Sequence, residues 1–270
     1  MDTWERIDGA TPNGGAYAIA YWLDQDGSPT DKASAAACEV VEYDRSDNAI
    51  FRTYATLTTQ TSTVKPRTPP MSDMVEFDRK LRELGEEAVG GRPFLCEGLP
   101  FGCDVFLVGI NPGTDTPFWP HWSVERGCDK QAWLQEYLRT HRKYRPTRKR
   151  IELLCKALKP LRTLETNVFS LPSKREWELD KAKRTTAVFG FLLESLRPRL
   201  LFVHGRTAVQ HLERLTYASL PHNDFVPVSY AGVNFEIIAG NHLSYHWADV
   251  KVQELGARLR DRGLSVPTMS

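Results

Sequence analysis

The rhythm of apolar and polar positions changes once along this 270-residue chain. Before residue 55 the apolar positions come in short, partly alternating runs at 17–23, 38–43 and 49–54. The clusters Asp24-Gln25-Asp26-Gly27-Ser28-Pro29 and Asp44-Arg45-Ser46-Asp47-Asn48 follow the first two runs. Partial alternation broken by polar turn residues predicts an antiparallel meander. Roughly fifty residues of such a sheet make a thin core, so residues 1–64 read as an accessory module, structural or partner-binding. Residues 56–70, TLTTQTSTVKPRTPP, contain no aromatic side chain and read as extended linker, which places the boundary at 65–72. A helix is predicted from Ser72 to about residue 84, with Met74, Phe77 and Leu81 on one face.

After residue 100 the pattern becomes that of strands alternating with helices. Residues 105–110 are a short continuous apolar run, the mark of a strand buried on both faces. Runs at 163–169, 200–203 and 233–239 are the further strands. Helical spacing links Trp133, Leu134, Tyr137 and Leu138, then Ile151, Leu154, Cys155 and Leu158, then Val188, Phe191, Leu192 and Leu196. Two more helices are predicted, at 207–215 and ending near Gly263. The alternation predicts an α/β domain over 73–270, a three-layer sandwich with a central, mostly parallel four-stranded sheet. The small antiparallel β module precedes it.

Composition narrows the class. With 41% apolar and 26% charged residues, the chain as a whole is neither disordered, collagen-like nor a coiled coil. No apolar run approaches the ~18 residues of a membrane helix, so no membrane partner is expected. The acidic start MDTWERIDGATPNGG lacks a secretory profile. Cys38, Cys96, Cys103, Cys128 and Cys155 never form a C-x-x-C pair. The expectation is a reducing, intracellular setting (cytoplasmic, nucleoid or nuclear), with no disulfide framework, no metal and no cofactor. Residues 1–64 carry ten acidic side chains against four basic ones, so the remainder holds a net +7. Only that second part suits a polyanion such as DNA.

In a parallel sheet the ligand site lies beyond the carboxyl ends of the strands. The first such loop holds Asn111, an acceptor and donor without proton-accepting power, between Gly109-Ile110 and Pro112-Gly113. Glycines there permit close approach of a ligand, and Phe118, Trp119 and Trp122 offer flat faces for stacking. Core packing of those rings is the equal alternative. The fourth loop holds His242 and Ser244; an imidazole there can donate to charge developing on a leaving group, or serve as a satisfied structural histidine. Arg139, Arg142, Lys143, Arg145, Arg148, Lys149 and Arg150 fall within twelve residues that contain no acidic side chain. That run, with Lys174 and Arg175 on the second loop, is either a solvated face or a set of phosphate contacts.

The order of these pieces resembles the uracil-DNA glycosylase superfamily, over roughly residues 90–260. Gly109-Ile110-Asn111-Pro112-Gly113 is similar to the first motif of its mismatch-specific and single-strand-selective branches. Thr166-Asn167-Val168-Phe169 resembles its second strand, and the segment from Phe191 to Ala208 its helix–strand–glycine–helix unit. Asn241-His242-Leu243-Ser244 falls where the family has a His-Pro-Ser or Asn-Pro-Ser motif, with Leu243 in place of the proline. The resemblance implies a monofunctional glycosylase that hydrolyses the N-glycosidic bond of a uracil-like or modified pyrimidine flipped out of single- or double-stranded DNA. Asn111 would position the water and His242 would stabilise the departing base. Gly109, Ile110, Pro112, Gly113, Phe118, Trp119 and Asn167 would surround the base. Arg142, Lys143, Arg145, Lys174, Arg175, Ser244 and Tyr245 would hold the DNA. The alternatives are a non-catalytic nucleic-acid or nucleotide-binding protein of the same fold, and an interaction protein whose β module is the functional end.

Overall fold

The computed structural model describes residues 4–8, 16–23, 37–46, 49–56, 71–85, 91–174, 178–179, 184–245 and 247–265. The chain divides into two compact units, Met1–Lys65 and Pro66–Ser270. In the first, β1 (Trp4–Asp8), β2 (Tyr17–Leu23), β3 (Ala37–Tyr43) and β4 (Ala49–Thr56) form an antiparallel meander in chain order. Tyr17 and Tyr43 lie opposite in register and their rings stack at 5.1 Å, with the Arg6 guanidinium 3.9 Å from the Tyr17 ring centre. Such cross-strand aromatic and cation–π pairs add to the little that Ala18, Ala20 and Val41 bury. The linker expected at 65–72 lies mostly outside the described residues.

The second unit is α/β, built on a mixed sheet. Its strands are β5 (Phe94–Gly98), β6 (Val105–Gly109), β7 (Trp122–Ser123), β8 (Gly127–Asp129), β9 (Thr163–Asn167), β10 (Leu200–His204), β11 (Phe225–Tyr230) and β12 (Val233–Gly240). They run in the order β11-β12-β10-β6-β9-β5-β8-β7. The expected four-stranded sheet is therefore too small. The four anticipated strands are its parallel centre, β12-β10-β6-β9, and antiparallel strands extend it at both edges. The additions escape a search for buried apolar runs because β7 and β8 are two and three residues long and β11 contains Pro227, a residue confined to sheet edges.

The described helices are α1 (Met71–Gly85), α2 (Lys130–His141), α3 (Pro146–Ala157), α4 (Ala187–Leu196), α5 (Arg206–Thr216) and α6 (Asp249–Ser265). Alternate residues of the central strands feed two cores. Val105, Leu107, Leu200, Phe202 and Ile238 pack with Ile151 and Leu154 of α3 and Val252, Leu255 and Leu259 of α6. Phe106, Val108, Leu201, Val203 and Ile237 pack with residues of α1, α2, α4 and α5. Burial of both faces explains the unbroken apolar runs. Among the described residues no helix is long and apolar enough to cross a membrane.

One buried position breaks the pattern. Glu165 lies opposite Leu107 in the sheet, and its carboxylate meets Arg148 at 2.6 Å and Lys130 at 2.8 Å. Glu152 bridges the same two cations at 2.8 and 3.1 Å. Burial alone would raise the Glu165 carboxyl, but Arg148 and Lys130 hold it well below its ordinary 4.5. Arg148 is thus a core residue of the sheet's α3 side, not part of a solvated basic face.

Candidate active site

The four parallel strands end level with one another. Gly109 pairs with Asn167, His204 pairs with Gly240, and Val108 faces Val203 one step earlier. Asn167, Gly109, His204 and Gly240 therefore form a row across the carboxyl ends, where parallel sheets place their ligands. Each stands two residues beyond Glu165, Leu107, Phe202 or Ile238, so the row continues the α3–α6 face. A Cβ on Gly109 would lie 2.8 Å from Asn167 Oδ1 and 3.4 Å from His204 Cε1. Both polar side chains lean over Gly109, and only glycine leaves them that space. Gly205, at φ +95°, turns β10 into α5, and a side chain there would meet His242 Cδ2 at 3.0 Å.

Asn111 follows on the β6 loop, which runs beside the β9 loop. Val168 N–H donates to the Gly109 carbonyl at 3.0 Å, Phe169 N–H to Ile110 at 2.9 Å and Ser173 N–H to Pro112 at 3.0 Å. The Asn111 amide nitrogen donates to the Ser173 carbonyl at 3.0 Å, to its hydroxyl at 2.9 Å and to the Pro112 carbonyl at 3.1 Å. With the nitrogen engaged, Oδ1 is the atom left to hold a water proton.

His242 stands two residues beyond β12. The Ser244 N–H donates to its Nδ1 at 3.2 Å and the Ser244 hydroxyl lies 2.6 Å from the same atom. An accepting Nδ1 puts the neutral ring's proton on Nε2. Burial lowers the His242 pKa from its ordinary 6.5, so the ring is a neutral Nε2–H donor at neutral pH. Where the resemblance expects a proline, the Leu243 side chain is fully buried and its carbonyl accepts from Arg150 Nη1 at 2.5 Å. Trp247 Nε1–H donates to the Asn241 carbonyl at 3.2 Å and braces the loop's start. The His242 ring meets the His204 ring edge-on, centroids 5.1 Å apart. Burial, with the neighbouring His242 adding to it, drives His204 down to about 3.

Gly109, Asn167 and His242 thus gather around His204. Asn111 belongs to the same end of the sheet, on the loop that follows β6, and β6 stands two places from β12 in the strand order. Ile110 is half-buried and Pro112 buried in the same turn, while Gly113 is exposed with nothing within 4 Å of a would-be Cβ. The aromatic expectation is corrected. Phe118 is 1% exposed, stacked on Trp122 and edge-on to Phe94, so it is a core ring with no face to offer. Trp119 packs edge-on against Phe118 and lies 4.6 Å beneath the Arg82 guanidinium, and Trp122 donates to Asp78 at 2.7 Å. Three rings close in sequence remove more apolar area from water packed together than splayed round a loop.

The basic run divides. Arg142, Lys143 and Arg145 are exposed at the α2–α3 turn, and Lys174 is exposed on the β9 loop. Arg148 is buried, Lys149 pairs with Asp249 at 2.7 Å and Arg150 holds the His242 loop. Arg175 lies outside the described residues. Ser244 is half-buried against His242, and Tyr245 is 66% exposed at the tip of that loop. From the sequence, Arg150 stood only in the basic run, and His204 and Ser173 only in loops at the strand ends, with no role of their own. For His204 the signal was its place at a strand end before a glycine. Among the described residues no group of three or more His, Cys, Asp or Glu could hold a metal ion. No family model matches the chain, and no curated protein matches it significantly.

Proposed function

We propose that the α/β unit is a monofunctional DNA glycosylase acting on a uracil-like or modified pyrimidine. The observation that carries this reading is that the Asn111 amide and the His242 imidazole lie on loops at one end of a parallel sheet. The glycosidic electron pair leaves on the base nitrogen and spreads to the neighbouring carbonyl oxygen, where the His242 Nε2–H stabilises it. Water held by Asn111 Oδ1 adds to the sugar C1′ and gives its proton to solvent, because the amide cannot take it. The products are free base and an abasic sugar. Asn167 contacts the base edge, Arg142, Lys143, Arg145, Lys174 and Arg175 hold phosphates, and Tyr245 fills the gap left by the flipped nucleotide.

The test is formation of alkali-labile sites in oligonucleotides carrying uracil, mismatched thymine or modified cytosines. Cleavage on at least one is expected. A folded chain that binds DNA but releases no base across the whole panel contradicts the reading. That outcome favours the non-catalytic alternative, which the lack of a proton acceptor at Asn111 also fits.

A further inference from the structure

We propose that His204 contacts the ligand directly, forming with Asn167 a two-sided hydrogen-bonding clamp over Gly109 for the edge of a pyrimidine. The inference rests on the functional reading above and adds a second base-reading residue to it. His204 is 5% exposed, and its Nδ1 is buried without a hydrogen-bond partner. Buried polar atoms are almost always paired, so one left open at the mouth of a sheet marks a place that a ligand or ordered water completes. The neighbours do not supply the partner. Phe202 lies beside the ring at 6.0 Å, His242 meets it edge-on, and Gly109 has no side chain.

The ring is turned toward Gly109. Cε1, the atom next to Nδ1, lies 3.4 Å from the point where a Gly109 Cβ would stand, and Asn167 Oδ1 lies 2.8 Å from the same point. A neutral imidazole offers one N–H and one lone pair, and a primary amide offers both as well. Together they match a heterocycle edge on which C=O and N–H alternate, the imide edge of uracil or thymine.

The test uses the full chain with 15N-labelled histidine, titrated with free uracil, thymine and cytosine. Uracil is expected to shift the His204 ring nitrogens, and His204→Phe, a similar-sized apolar ring, is expected to weaken uracil binding at least tenfold while raising Tm. Uracil binding by His204→Phe equal to that of the unaltered chain, or no shift at His204 with any of the three bases, overturns the proposal. The ring shifts are read on unaltered protein and hold even if the variant fails to fold. Base release from DNA, measured in parallel, separates the two claims. If release proceeds and His204→Phe matches it in rate and base preference, the clamp falls and the glycosylase stands. If no oligonucleotide loses a base yet uracil binding depends on His204, the clamp stands and the glycosylase falls.

Discussion

His242 is useful only in one tautomer, and Ser244 selects it by placing its N–H and hydroxyl on Nδ1. Ser244→Ala removes the hydroxyl and keeps the backbone donor, so base release is expected to slow by about tenfold, the worth of one hydrogen bond. Single-turnover rates check this, with DNA affinity unchanged. His204 adds a stability signature. Its pKa falls from 6.5 in the unfolded chain to about 3 in the folded one. The unfolded state therefore binds the extra proton first, and stability declines as pH drops below 6.5. Glu165 acts in the same direction, but its contribution is retained until pH falls below about its ordinary 4.5. Between pH 6.5 and 4.5 the loss belongs to the depressed histidines, His204 and His242, rather than to Glu165: denaturation midpoints should fall in the unaltered chain and fall less in His204→Phe.

At the scale of elements, α3 performs two tasks hidden in one charge run. Arg148 turns inward to Glu165, and Arg150 ties the helix to the Leu243 carbonyl in the middle of the His242 loop. Glu165→Gln leaves Arg148 and Lys130 short of a counter-charge in the core, with an expected loss of about 3–5 kcal/mol in denaturant unfolding. Arg150→Ala is expected to slow base release while leaving the salt dependence of DNA binding unchanged. Arg142→Gln should instead lower that dependence by about one unit of slope, as loss of one phosphate contact does. These cases also show what a sequence reveals. The central strands β6 and β10 were legible because burial on both faces writes itself as nearly uninterrupted Val, Leu and Phe. The edge strands β7 and β8 were not, since two or three residues carry no period. Asn111 and His242 were legible as polar residues just past strands. His204 was not, because its meaning comes from lying beside Gly109 on a neighbouring strand, a matter of register. Arg148 looked exposed because its partner lies 17 residues away on another element.

The molecule as a whole separates an acidic β meander from a basic α/β unit that contains both sheet cores and every site residue. Residues 66–270 alone are therefore expected to release base at the rate of the full chain, checked by alkali-labile site formation on the same oligonucleotide. On the proposed reading, the net +7 of residues 65–270 assigns the phosphate contacts to the second unit. The central claim is that an amide and an imidazole on the loops after two separate strands act on one glycosidic bond. Single-turnover base release by the full chain, compared with Asn111→Ala and His242→Ala on the best oligonucleotide, addresses it most directly. Each substitution should slow release by about 100-fold or more with DNA binding retained. Release at the unaltered rate by either variant would contradict the account.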